Sequence, residues 1–229
     1  MKRSRVNEIL REGDTFIRSF GYVMPPFANW SSTEMIERKP SGIVDARLGW
    51  DITDYAQEKF DELGLFLFTV RNGRAEDLAR GKGMLYAEKI MISRKDQLSP
   101  MHRHMIKAED IINRGGGKLV LELFMPDPDG GIDRISEVSV PTDGIVRKLP
   151  AGGLLKLEPG ESVTLLPGVW HAFWGEGADV LIGEVSTVND DLTDNIFADP
   201  IGRFSSIEED EPPHRLLVSD YDRWIKGQA

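Results

Sequence analysis

Between Leu65 and Val188 the apolar residues fall in short runs instead of helical stripes. LFLFTVRNG, YAEKIMISR, KLVLELFM, EVSVPTDG, LLKLEPGESVTLLPG and DVLIGEVSTV are rich in Leu, Val, Ile and Phe and are separated by Gly, Pro, Asn and Asp. Their spacing of roughly ten residues predicts strands joined by tight turns, and favours an antiparallel sandwich or barrel over alternating strands and helices. Upstream the period changes: Val6, Ile9, Leu10, Phe16 and Ile17 recur among charges at the spacing of one amphipathic helix. SSTE then offers a hydroxyl cap and an early glutamate for a short helix. DITDYAQEKFDELG reads as a further helix closed by Gly64. After Val188 the chain becomes acidic, polar and proline-rich, NDDLTDNIFADPIGRFSSIEEDEPPHRL, and is expected to lie over the barrel or near its mouth. With no internal repeat, the 229 residues read as one domain: an N-terminal helical extension over 1–63, a β-barrel core over 64–188 and a C-terminal wrap over 189–229.

Composition narrows the partners. Apolar residues make up 40% and charged residues 29%, too apolar for disorder and enough for a sizeable core. Cysteine is absent, which excludes a disulfide framework, a thiolate metal site and a cysteine nucleophile. A net charge of −10 argues against binding nucleic-acid phosphates. The basic start MKRSRVNEILREGDTF has no apolar stretch behind it and so does not read as a signal peptide. No apolar run approaches the ~18 residues of a spanning helix. These features predict a cytoplasmic protein acting on small molecules, with neither nucleic acid nor membrane as a partner.

Candidate chemistry centres on the histidines, of which there are four. In PMHRHMIKAEDIINRGGG, His102 and His104 are two apart, so a strand would aim both imidazoles at one point and Arg103 the other way. Glu109 follows, and the glycines 115–117 would allow a tight turn into KLVLELFM. In LPGVWHAFW, His171 could complete a four-ligand set. Each element alone is commonly incidental, and a histidine beside Trp170 could be plain core. Together they point to one divalent metal ion, and imidazole plus carboxylate suits Mn²⁺, Fe²⁺, Zn²⁺, Co²⁺ or Ni²⁺ without choosing among them. His214 has no partner spacing and reads as a surface residue.

HRHMIKAE with its downstream glycines, and PGESVTLLPGVWH, resemble the two motifs of the cupin superfamily. Six residues instead of five separate Gly160 from Pro167, and Pro167 adjoins Gly168 directly, but the step from Gly168 to His171 is kept. The resemblance implies a mainly β fold, a cupin-type antiparallel β-barrel or jelly roll, with His102, His104, Glu109 and His171 as metal ligands. Over nearly the whole chain, MKRSRVNEIL, PPFANW, LGWDIT, LFTVRNG, YAEKIM, EDIINRGGG, PGES and GEVSTVNDD are similar to the D-lyxose isomerase family of cupins. That similarity implies a Mn²⁺-dependent homodimer interconverting D-lyxose and D-xylulose, and often D-mannose and D-fructose; the expected route is a metal-chelated enediol, and a metal-assisted hydride shift is the alternative that the sequence does not separate from it.

The enediol route needs a base within hydrogen-bond reach of the sugar. In VLIGEVSTV, Glu184 shares a strand face with Ile182, Ser186 and Val188, and burial among them is expected to raise its pKa. Lys107, between two ligands, could donate to a sugar hydroxyl or to the enediolate oxygen. Glu88 and Lys89 point to opposite faces, and Lys89 is the better candidate for substrate binding. Asp190, Asp191 and Arg203 could line the mouth; Asp190 and Arg203 are taken as substrate-binding. Trp50, Trp170 and Trp174 could stack on a sugar or simply be core, where Phe66 and Phe68 belong. Two other readings use the same ligands: an Fe-dependent cupin dioxygenase, and a non-catalytic sugar-binding cupin.

Overall fold

A computed structural model describes residues 1–228. Strands β1 (Gly49–Thr53), β2 (Leu65–Asn72), β3 (Tyr86–Ser93), β4 (Ser99–His104), β5 (Glu109–Pro126) and β6 (Ile132–Asp133) form its first half. They are followed by β7 (Val138–Thr142), β8 (Ile145–Leu149), β9 (Gly153–Leu157), β10 (Ser162–Leu165), β11 (Trp170–Thr187) and β12 (Asn195–Phe197). The order across the main sheet is β1-β2-β3-β11-β4-β12, while β5 pairs with β11 and also with β10, β9 and β6. Each pairing between these strands is antiparallel, and β7 with β8 makes a separate hairpin. The two 18-residue strands β5 and β11 run side by side and curl the sheet into a barrel. Its inside holds Leu67, Met91, Ile111, Leu121, Leu157, Val163, Phe173 and Ile182, all buried.

Helix α1 (Arg3–Ser19) lies on the outside of this wall. Its stripe of Val6, Ile9, Leu10 and Ile17 packs with Trp50, Phe66, Phe68 and Ile90 from β1, β2 and β3. Strand β1 is therefore buried on both faces, Trp50 and Ile52 under the helix and Asp51 and Thr53 towards the interior. The short helix α2 (Ser32–Arg38) begins where SSTE places it, with Ser31 and Glu34 bonding each other's backbone. At the other end Arg3, fully buried, bonds Asp220 at 2.7 Å and Glu209 at 2.8 Å, tying the first turn of α1 to the last residues.

Two local expectations are corrected. Asp51–Gly64 is not a helix: Asp51–Thr53 belongs to β1, and Tyr55, Ala56 and Glu58 take positive φ of 53°, 59° and 57°. Asp54 organises that loop, accepting from Ala56 N–H and from the Ser205 hydroxyl, so a polar anchor overrides the helix-like spacing. Nor do the glycines 115–117 turn the chain. They sit inside continuous β5 as a bulge against β11, and Gly116, at φ 97°, has no room for a Cβ, which would meet Asp179 O at 2.1 Å.

Gly13 tests the docking of α1. On helix propensity alone, Gly13→Ala should stabilise by about 1 kcal/mol. Its Cβ, however, would fall 2.4 Å from Phe66 Cζ. We expect a net loss of about 1–3 kcal/mol, read as a lower denaturant midpoint; a variant as stable as the parent would mean that α1 does not press on β2.

Candidate metal centre and active-site cavity

Register brings the expected ligands together. His171 on β11 stands opposite His102 on β4, and β12 places Asn195 opposite His104. Pro167 and Gly168 lead into β11, and Gly168 N–H donates to His104 O. The ring nitrogens of His102, His104 and His171 that face the barrel interior lie within 4.8 Å of one another. Glu109 comes from the start of β5, opposite Ser186, two residues from Glu184 and on the same face. Its Oε1 lies 3.4 Å from His104 Nε2 and 3.2 Å from His171 Nε2.

The donor chemistry fits a cation. His102 Nδ1 is 2.8 Å from Pro100 O and His171 Nδ1 is 3.1 Å from Val169 O. A carbonyl only accepts, so each Nδ1 carries the proton and each Nε2 offers a lone pair to the centre. Among the described residues, Glu109 Oε1 is buried without a hydrogen-bond partner, as is His104 Nδ1. Burial, reinforced by the neighbouring imidazoles, pushes His102 well below the usual histidine range, and burial with Lys107 lowers His104. Both are thus neutral, the form that binds metal.

From this centre a chain of alternating charges runs through the cavity. Lys107 Nζ lies 2.6 Å from Glu109 Oε2 and 3.0 Å from Glu184 Oε1. Lys89, opposite Glu184 in the β3–β11 register, reaches Glu184 Oε1 at 3.3 Å, Asp191 Oδ1 at 3.8 Å and Asn189 Oδ1 at 2.6 Å. Arg203 follows, 3.3 Å from Asp191 Oδ2 and 2.9 Å from Asp51 Oδ2, with Nη1 buried and unpartnered among the described residues. Lys89, Lys107, Glu109 and Glu184 are each at most 4% exposed.

This pairing reverses the expectation for Glu184. Burial does push its carboxyl up, but Lys107 and Lys89 outweigh burial and hold it below the usual carboxylate range. Glu109 lies well below that range for the same reason, with Lys107 and His104 as the opposing charges. Burial also disfavours the Lys107 ammonium, yet Glu109 and Glu184 raise it well above an ordinary lysine. Burial acts on Asp191 too and is overcome by Lys89 and Arg203, leaving it far below its usual value.

Other placements are mixed. Asp190 does not face the cavity; its carboxylate accepts from Leu192 N–H, Thr193 N–H and the Thr193 hydroxyl, so it caps its own loop, and Asp191 takes the interior position. Trp50 lies under α1, Trp170 bonds Gly131 O, and neither they nor Trp174 line the cavity. Glu88 points outward to Arg71, and His214 is exposed. The aromatic walls are instead Tyr55, Phe173 and Phe197. Tyr55, its hydroxyl bonded to Ser99 and pushed by burial up to about 12, came from the segment misread as helix, where no pattern marked it. Asn189 and Asp51 were invisible for another reason: their partners lie about a hundred residues or more away, Lys89 for the first and Arg203 for the second.

A curled antiparallel barrel that turns three imidazoles and a carboxylate on one interior point defines a cupin-type protein with a candidate metal centre. Comparison with known proteins carries this further. The profile of the family described as D-lyxose isomerase matches residues 1–221. A D-lyxose/D-mannose isomerase of Serratia proteamaculans is 47% identical over 98% of this chain and 100% of its own length. One of Escherichia coli O157:H7 is 44% identical over 96% and 98%. Among solved structures, L-ribose isomerase of Acinetobacter sp. DL28 in complex with L-ribose superposes at TM-score 0.62, with 15% identity over 91% of this chain and 98% of that one, and shares the fold. This chain belongs to the D-lyxose isomerase family and is a sugar isomerase.

The buried neutral histidines give a pH dependence. Their folded pKa lies below the unfolded value of about 6.5, so the stability their neutrality confers is present above that value and is lost as pH falls through it. Metal-free protein should keep a level Tm from about pH 8 to 7 and lose it below about 6.5, and His102→Gln should flatten the fall. An identical fall in the variant would contradict burial of His102 as its source.

Proposed function

We propose that this chain is a divalent-metal-dependent aldose–ketose isomerase that interconverts D-lyxose and D-xylulose, and D-mannose and D-fructose. The observation that carries the reading is Glu184, held ionised between Lys107 and Lys89 in the same cavity as the three histidines. The names of its relatives support the choice of sugars, and the family resemblance favours Mn²⁺. In this reading the chain acts as one domain, in the cytoplasm, as a homodimer.

His102, His104, Glu109 and His171 would hold the ion, which when bound supplies Lewis-acid polarisation of the sugar carbonyl. Glu184 takes the proton from the sugar's C2 and returns it to C1 while the C2 hydroxyl proton passes to the C1 oxygen, and the two transfers together make an aldose a ketose. Its lowered pKa keeps the carboxylate ready at neutral pH. When sugar oxygens take over hydrogen bonds from Lys107 and Lys89, Glu184 loses part of that stabilisation and becomes a stronger base where the proton is abstracted. Lys107 then donates to the oxygen on which negative charge grows, replacing one carboxylate partner with another anion. Lys89 and Arg203 hold the hydroxyls further from the ion, Arg203 through its free Nη1. Tyr55, Phe173 and Phe197 exclude water around the sugar carbons.

An isomerisation assay on metal-stripped protein, with D-lyxose and D-mannose under anaerobic conditions, tests this. Ketose should form after Mn²⁺ is restored and not before, and His104→Ala should abolish restoration. Glu184→Gln should keep bound metal and fold while losing about 10²- to 10⁴-fold in kcat. Absence of ketose from either sugar in metal-loaded native protein would overturn the proposal, and turnover of any substrate that requires oxygen would favour the dioxygenase instead.

A further inference from the structure

Between the ligands His104 and Glu109 the chain makes a turn with little to hold it. Met105 and Ile106 are 48% and 65% exposed, so no apolar packing anchors its tip. Its ends are fixed: His104 O accepts from Gly168 N–H, and Ala108 O accepts from Thr187 N–H. Its centre carries three successive N–H groups without a sheet partner, yet the next side chain, Lys107, must point inward between two carboxylates. One residue answers this need. Asp194 Oδ1 accepts from Met105 N–H at 2.9 Å and Ile106 N–H at 2.8 Å, and Oδ2 from Lys107 N–H at 2.9 Å. Three consecutive amides converging on one anion form a nest, and the Asp194 carboxylate, on a residue only 6% exposed, sits in it.

Asp194 does not touch the cavity, and no motif pointed to it. Its position nevertheless joins the two halves of the site. Its own N–H bonds Asp190 O, closing the loop that carries Asn189 and Asp191 to Lys89. The next residue, Asn195, begins β12 and pairs with His104. We infer that Asp194 is a positioning residue for the metal centre: its carboxylate sets the turn that aims His104 and Glu109 at one point and Lys107 at Glu184. The inference rests on the metal-dependent reading of the site.

Asp194→Asn tests it, because the amide keeps the shape and two acceptor contacts but turns a donor towards Lys107 N–H. Asp194→Ser, which removes one oxygen and the charge, is the second variant should the first fold poorly. Mn²⁺ dissociation constants are measured by chelator competition at a temperature well below each Tm, without sugar, and kcat and KM for D-lyxose at saturating Mn²⁺. Asp133→Asn is the control, since Asp133 caps an exposed turn at Ile135 and Ser136 in the same manner. We expect Mn²⁺ affinity about 10- to 100-fold weaker in either Asp194 variant, kcat lowered even at saturating Mn²⁺, KM changed less than kcat, and none of this in Asp133→Asn. A lower Tm with Mn²⁺ affinity and saturated kcat within twofold of native would reduce Asp194 to a structural cap and overturn the inference. Native protein that holds Mn²⁺ but turns over no sugar defeats the isomerase proposal and leaves the affinity comparison valid; native protein that holds no divalent metal overturns both.

Discussion

The site depends on one buried cation. Lys107 Nζ stands between Glu109, which faces the histidines, and Glu184, which faces the position assigned to the sugar. Without it Glu184 would keep Lys89 alone and Glu109 only the neutral imidazoles beside it, and stranding a buried carboxylate costs about 3–5 kcal/mol. The same ammonium therefore makes Glu109 a permanent anion for a metal and keeps Glu184 deprotonated. Everything outward from it, from Lys89 to Asp191 and Arg203, repeats the rule that each buried charge has an opposite neighbour.

Strand register turns that rule into geometry. Strand β11 supplies His171 near its start and Glu184 near its end, and touches β3, β4 and β5 along its length. Three pairings, His171 with His102, Glu184 with Lys89 and Ser186 with Glu109, place the candidate ligands and the proposed base in one interior. A slip of one residue would move Glu184 to the face where Val185 is exposed. The bulges at Gly115 and Gly116 and near Gly177 keep this register while letting the two long strands curl.

The convergence of His102, His104, Glu109 and His171 was legible because a period of two and a turn-then-histidine element are local signals. Strand β3 and the outer helix α1 were legible for the same reason. The ion-pair chain was only half visible: Lys89 and Glu184 could each be placed on a strand face, but not opposite one another, since that pairing joins positions 95 residues apart. The pKa of Glu184 was misjudged in direction because burial is local and its two lysines are not. Asp190 and Asp191 are adjacent and chemically alike, and only the loop's own hydrogen bonds decide which turns inward. The misread Asp51–Gly64 segment has a helical period defeated by Asp54 and Ser205, contacts no period records.

The most direct measurement is a crystal structure of the Mn²⁺-loaded Glu184→Gln protein with D-lyxose bound. The sugar's C1 and C2 should lie over the side chain at position 184, about 3–3.5 Å from its terminal atoms, with Lys107 on an oxygen of the same end and Arg203 on the opposite end. A sugar bound with C1 and C2 turned away from position 184, or outside the cavity of His102, His104 and His171, would contradict that placement.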